Sequence, residues 1–249
     1  MNLILPAKSD RRFWCVPYSV GKLDDKGNPN FQKLLMGVQN AISDQLDSLG
    51  VGTKTLAANG FLYILCRMKM TILRPLAENE ELTLVTYPMR PDKVEMRRET
   101  YFLDSQSKPV ILIDSLWVFI NVKTRRLTFT DYFSNAVNKQ DMASLDSLEL
   151  LFPERLFELN FKNEVFDFDF THTVSQEEID FNNHMNNTYY VSLAQELALK
   201  KITGIEINYE KECLLNEKID VFSFSKPTGL DIIGSKSNQD KAFFVSLKY

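Results

Sequence analysis

The run Asp180-Phe181-Asn182-Asn183-His184-Met185-Asn186-Asn187 gathers a carboxylate, four carboxamides and an imidazole with little apolar material between them. Groups of these types can orient a water molecule, accept its proton and stabilise an oxyanion. Just downstream, Tyr190, Leu193, Ala194, Leu197 and Ala198 recur at helical spacing, which predicts a helix over 188–200. His184 is therefore expected in a loop that feeds a helix N-terminus, where unpaired N–H groups and the helix dipole favour negative charge. Asn186 or Asn187 suits the N-cap position. Asp180, Asn182 and His184 are the candidates for chemistry.

Composition narrows what that chemistry can be. The chain has 249 residues and a formal charge of -4, and no Lys/Arg run exceeds two residues, so nucleic acid is not an expected partner. No stretch approaches the roughly 18 apolar residues that a bilayer span needs, and the first six residues are too short for a secretory core; the expected location is cytoplasmic. Cys15, Cys66 and Cys213 are odd in number and far apart, and His172 and His184 are the only histidines. That fits neither a disulfide framework nor a zinc site, so no metal and no cofactor is expected. His172, between Thr171 and Thr173 in an alternating run, reads as structural.

The elements that must position these groups follow from the pattern. Residues 13–20 read as a strand, and a turn-rich stretch follows. Phe31, Leu34, Leu35, Val38, Ala41, Ile42 and Leu49 then keep the 3.6-residue period of a helix, with Asn30 to cap it and Gly50 to close it. After a loop over 51–60, residues 61–73, 82–87, 93–103 and 110–122 read as strands. Residues 131–154 are polar with scattered leucines and read as a linker. Strands are expected again over 165–174, 205–215, 218–224, 229–234 and 242–247, with the polar run and its helix between the first two.

The second half thus repeats the first. A shift of 137 residues superposes Met68, Met70, Ile72, Asn79, Glu80, Leu82 and Leu84 on Ile205, Ile207, Tyr209, Asn216, Glu217, Ile219 and Val221. A long helix on a curved antiparallel sheet, present twice, is an α+β double hotdog: an N-terminal unit over 1–130, a linker over 131–154 and a C-terminal unit over 155–249. The same shift sets Pro75 opposite Glu212 and Leu76 opposite Cys213, and the turn over 20–30 has no histidine. One active site per chain is expected, with the first half left to shape an apolar pocket.

Two motifs carry a resemblance. Asp180 to Asn187 with Tyr189-Tyr190, and Tyr209-Glu210-Lys211-Glu212-Cys213, resemble motifs of the plant and bacterial acyl-acyl-carrier-protein thioesterases. The first motif commonly reads Asp-x-Asn-Gln-His-Val-Asn-Asn, and the second ends in Glu-Cys. Ser115-Leu116-Trp117-Val118 and Thr124-Arg125-Arg126 extend the likeness into the first half. Asn183 departs from the usual Gln and Met185 from the usual Val. No Ser/Arg-rich extension precedes the first strand, which resembles the bacterial branch.

The resemblance implies catalytic roles for Asp180, Asn182, His184, Glu212 and Cys213, an acyl carrier protein as partner, and release of free fatty acid that ends chain elongation. Glu212 then deprotonates water, His184 and Asn182 position it, Asp180 orients the amide or imidazole, and helix N-terminal N–H groups hold the oxyanion. The alternative makes Cys213 the nucleophile and His184 its base. Other functions left open are an acyl-CoA thioesterase or enoyl-thioester hydratase on the same fold, and a non-catalytic acyl-thioester binder. Arg90, Lys93, Arg97 and Arg98, or Arg125 and Arg126, offer a basic face to an acidic carrier protein. Whether two copies pair as a homodimer is left open.

Overall fold

A computed structural model of the chain describes residues 12–89, 93–128, 156, 158–161 and 164–249. The expected linker over 131–154 and Arg90 lie outside the described residues.

Strand β1 (Trp14–Ser19) is followed by helix α1 (Phe31–Ser48). Asn30 caps α1 by accepting the Lys33 N–H at 2.9 Å, and Gly50 follows its end at φ +74°, a left-handed value that glycine tolerates without strain. The face Phe31, Leu34, Leu35, Val38, Ala41, Ile42 and Leu46 is buried, as the 3.6-residue period requires. The loop expected over 51–60 holds a short helix, α2 (Thr53–Ala58). Six residues show too little period to announce it. Strands β2 (Phe61–Ile72), β3 (Glu81–Pro88), β4 (Glu95–Leu103) and β5 (Pro109–Asn121) complete the first half.

The second half runs β6 (Asp167–Thr173), helix α3 (Asn187–Glu196), β7 (Gly204–Tyr209), β8 (Lys218–Lys226), β9 (Gly229–Lys236) and β10 (Lys241–Lys248). Helix α3 stops four residues short of the expected Lys200. Asn28 accepts the Ile202 N–H at 2.7 Å and donates towards the Lys200 carbonyl, turning the chain into β7. Strand β7 also ends early, at Tyr209 rather than 215, because the Glu210 and Lys211 N–H groups both converge on the Ala242 carbonyl.

The ten strands among the described residues form one antiparallel sheet in the order β1-β3-β4-β5-β2-β7-β10-β9-β8-β6. Each half contributes five strands in the same relative order, and β2 and β7 join them. At the seam Lys69 faces Glu206, two residues related by the 137-residue shift, so the local two-fold passes between them. The Asn-Glu turns that the shift superposes are alike in detail. Asn79 and Asn216 have φ of +54° and +65°, and the following Glu80 and Glu217 carboxylates accept the Ala77 and Leu214 N–H groups at 3.0 and 2.8 Å. Helices α1 and α3 lie together on one face of the sheet, over a single core that draws on both halves. This is the α+β double hotdog. No helix among the described residues is long and apolar enough to cross a membrane.

Candidate active site

The polar run is shaped by its own short-range bonds. Ser175 and Glu178 form a capping box at a 3₁₀ turn, and the Asn186 N–H donates to the Glu178 carbonyl at 2.8 Å. Asp180 Oδ1 accepts the backbone N–H of Asn182 at 2.7 Å and of His184 at 3.3 Å. Asn183 takes the left-handed conformation at φ +63°, which asparagine tolerates better than most residues. Asp180 thus holds the loop backbone rather than a neighbouring amide or imidazole. Asn186 is the N-cap of α3: its Oδ1 accepts the Thr188 N–H at 3.0 Å, and its Nδ2 donates to Gln39 on α1 at 3.1 Å.

A second turn meets this loop. The Met185 N–H donates to the Cys213 carbonyl at 2.8 Å, and that one bond sets His184 beside Glu212. His184 Nε2 lies 3.3 Å from Glu212 Oε2. The same oxygen accepts from Arg125 at 2.6 Å, while Oε1 has no partner among the described residues. Glu212 sits in the turn after β7, not within a strand, and is half exposed. Arg125 comes from the first half. Asn121 accepts the Lys123 and Thr124 N–H groups at the end of β5, and the turn continues to Arg125 at φ +55°.

These groups line one end of a cavity of about 520 Å³. Arg125, Asp180, Asn182, His184 and Glu212 border its polar end; Ile42, Leu46, Leu62, Leu65 and Trp117 border the rest. Asn182 places its carboxamide there without a hydrogen-bond partner among the described residues. Asn187 borders both this cavity and a small apolar void beneath α1. A carboxylate with one free oxygen, an imidazole and an amide at the mouth of an apolar slot are the parts that water addition to a carbonyl requires.

The family models for the acyl-ACP thioesterase N-terminal domain and C-terminal domain match residues 9–131 and 157–242. The chain belongs to the acyl-ACP thioesterase family. It is a thioester hydrolase. An acyl-ACP thioesterase from Bacteroides thetaiotaomicron VPI-5482 shares its fold at a TM-score of 0.81 and 16% identity, over 95% of this chain and 97% of that one. The 12:0-ACP thioesterase from Umbellularia californica does so at 0.77 and 14%, over 95% and 96%. No curated protein sequence matches the chain.

Within this thioesterase, Asp180, Asn182, His184 and Glu212 come together, and Cys213 does not join them. Its side chain is fully buried, outside the cavity lining, and burial pushes its thiol up from the usual range. Its backbone does the visible work, the carbonyl on Met185 and the N–H donating to the Tyr190 hydroxyl at 3.2 Å. His172 pairs with Glu178 at 3.0 Å, behind the loop. Arg97 and Arg98 do not share one basic face. Arg97 binds Asp114 on one side of the sheet and Arg98 is buried on the other, as alternation along β4 dictates. Arg125, read from sequence as a surface charge, belongs to the site. The signal that pointed to it was its place in the family likeness.

Helix α3 offers fewer donors than its N-terminus suggests. Asn186 consumes the Thr188 N–H through its side chain and the Tyr189 N–H through its carbonyl. The Asn187 N–H remains, on a residue that borders the cavity together with Asn182. No set of three or more His, Cys, Asp or Glu side chains among the described residues is placed to share a metal ion.

Proposed function

We propose that this thioesterase hydrolyses fatty acyl chains from acyl carrier protein with Glu212 as general base and His184 as its partner. The observation that carries the reading is the shared Glu212 oxygen, held by Arg125 at 2.6 Å and His184 at 3.3 Å at the mouth of the apolar cavity. The free Glu212 oxygen takes a proton from water as the water oxygen bonds to the thioester carbon. The Asn187 N–H and the Asn182 amide stabilise the oxyanion. Collapse of the tetrahedral intermediate breaks the C–S bond, and the proton passes to sulfur through His184 or Glu212, leaving a free fatty acid and a thiol on the carrier. Asp180 is a positioning residue, and Cys213 packs behind the site.

The two halves divide the work, residues 1–130 shaping the acyl pocket and residues 155–249 supplying the base and its partner, with Arg125 crossing from the first to the second. One chain completes the site, so a homodimer is not required for it. The enzyme acts in the cytoplasm on this reading. The test is thiol release from matched acyl groups on carrier protein and on coenzyme A, with wild type, Glu212→Ala and His184→Ala. Carrier-protein esters are expected to turn over faster, and both variants to lose activity. Undiminished turnover in Glu212→Ala overturns the mechanism; equal turnover of coenzyme A esters overturns the substrate.

A further inference from the structure

Beneath α1 in the first half, on the helix-facing side of the sheet, lies a buried group of hydrogen-bond donors that the thioesterase chemistry does not use. Arg98 on β4 is fully buried. Its Nη1 donates to Gln45 Oε1 at 2.6 Å and Thr86 Oγ1 at 3.1 Å, both uncharged, while Nε and Nη2 have no partner. The neighbouring carboxylates cannot serve it. Glu99 accepts from the Tyr87 hydroxyl and Asp114 pairs with Arg97, both on the opposite face of the sheet. The Tyr63 hydroxyl and the Trp14 Nε1–H are also buried without a partner, and Trp14 stands opposite Thr86 across β1 and β3.

Tyr63 connects this group to the acyl cavity. Its ring lies flat on Trp117, with centroids 4.4 Å apart and planes 13° from parallel, and both rings border the cavity. The sheet order β4-β5-β2 means that the stack carries the Tyr63 hydroxyl over β5 towards β4, beside the buried Arg98 guanidinium. A guanidinium can only donate and an indole N–H can only donate. A positive charge buried without a counter-charge, with two of its nitrogens and a neighbouring indole N–H unsatisfied, calls for an acceptor oxygen.

We propose that Arg98 and Tyr63 form a polar terminus of the acyl pocket that receives an oxygen on the distal part of the acyl chain, so that the preferred substrates are acyl thioesters ending in a carboxylate or a hydroxyl. This rests on the thioesterase reading and names its substrate class. A methyl end brought to the same place leaves the donors unpaired; an oxygen satisfies them.

The test is kcat/KM for carrier-protein thioesters that end in methyl, hydroxyl or carboxylate, over a series of matched lengths, with wild type, Arg98→Met and Tyr63→Phe. Wild type is expected to favour an oxygen-ended chain at its best length by at least about tenfold, the scale of one well-made buried hydrogen bond. Arg98→Met should abolish the preference while still hydrolysing methyl-ended chains, and Tyr63→Phe should reduce it. Carboxylate over hydroxyl would mean that charge is read; equal rates, that any acceptor serves. Loss of an uncompensated buried cation should not lower the thermal midpoint of Arg98→Met, and Tyr63→Phe removes only one oxygen, so misfolding does not hide the answer. Wild type without a preference for oxygen-ended chains, or a preference that survives Arg98→Met, overturns the proposal and leaves the thioesterase intact. Absence of hydrolysis of all three substrates fails the thioesterase reading itself.

Discussion

The loop before α1 and the loop before α3 are built alike, and only one of them faces the acyl cavity. Asp24 Oδ1 accepts the Lys26 and Asn28 N–H groups at 2.9 and 2.8 Å, as Asp180 accepts those of Asn182 and His184. Gly27 at φ +81° stands where Asn183 stands at +63°, and the bridge between Leu23 and Pro29 matches that between Ile179 and Met185. Even the helix partners are exchanged. Gln195 of α3 accepts the Phe31 N–H at the start of α1, and Gln39 of α1 accepts from the cap of α3. The difference is in two places. Asn28, fully buried, replaces His184; Pro75 replaces Glu212 after the adjoining strand. The turn geometry is therefore a scaffold, and on the proposed mechanism the imidazole and the distant carboxylate are what make one copy reactive.

The sharpest way to break that comparison is to remove the reactive pair and its inert counterpart in parallel. Replacing His184 or Glu212 by alanine should lower kcat/KM for an acyl carrier thioester by about 10²- to 10⁴-fold, the usual worth of a general acid–base group, with the unfolding midpoint near wild type. Asn28→Ala should behave the opposite way. It strips the buried acceptor of the Ile202 N–H, so unfolding free energy should fall by about 1–3 kcal/mol while kcat of the folded enzyme stays within about twofold. A large kcat loss in Asn28→Ala at full stability would show that the first loop also takes part in catalysis.

The next contrast is between the two aspartates. If Asp180 acts by holding backbone N–H groups, Asp180→Asn keeps an acceptor and most of the activity. Asp180→Ala releases the loop and should lose about 10- to 100-fold in kcat, the scale of a small misplacement of catalytic groups. Asp24→Ala removes the same two bonds from the inert copy and should appear in a denaturation curve, at about 1 kcal/mol, and not in turnover. Equal losses for Asp180→Asn and Asp180→Ala would point to a carboxylate with a direct chemical role.

How much of this could be read in advance depends on how each feature is encoded. The strands, α1 and its Asn30 cap are written in local period and capping chemistry, and, the end of β7 apart, the observed bounds fall within a few residues of the expected ones. The Asn-Glu turns at Asn79 and Asn216 keep the shift of 137 that reveals the repeat. The loops do not. Asp24 and Asp180 stand 156 residues apart, because the first half carries a longer helix and α2 between its loop and its next strand. One shift therefore aligned the strands and left the paired loops unmatched. The pairing of Glu212 with Arg125, 87 residues away, leaves no local trace at all, and neither does the burial of Cys213, since a cysteine reads alike as nucleophile or packing.

Arg125 tests whether the first half joins the chemistry. Arg125→Met removes the cation that holds Glu212 Oε2, and a loss of about tenfold in kcat/KM is expected, well short of the loss in Glu212→Ala. Both side chains of the pair are about half exposed. The effect should thus be partly screened, and the gap between variant and wild type should narrow as salt is raised. A gap that is indifferent to salt would mean that Arg125 works by packing.

Cys213 gives a smaller effect. Cys213→Ala should retain more than about a tenth of wild-type kcat, a change below roughly 1.4 kcal/mol in the barrier, and lose about 1 kcal/mol of stability from the emptied volume. The buried, upward-shifted thiol should also resist alkylation at neutral pH, while the exposed Cys15 reacts first. Peptide mapping after brief alkylation reads this directly. Rapid labelling of Cys213 together with loss of turnover would restore the nucleophile.

The weakest effect expected is in acid, and it isolates the inert loop. Burial of Asp24 pushes its carboxyl up, but the hydrogen bonds from the Asn28 backbone and side chain, the Lys26 N–H and Gln195 outweigh it, and the net displacement is below the ordinary value of 3.8. A carboxyl whose pKa is lower folded than unfolded stabilises the folded chain above its unfolded value. That contribution fades as pH falls through the lowered folded value, because protonation then becomes as favourable in the folded state. The stability difference between wild type and Asp24→Ala should therefore be constant around neutrality and shrink on acidification below about pH 4. Asp24 is largely solvated, so the change is small and needs denaturant titrations at several pH values. A difference that grows in acid would have the wrong sign and would mean that these hydrogen bonds do not favour the ionised carboxylate.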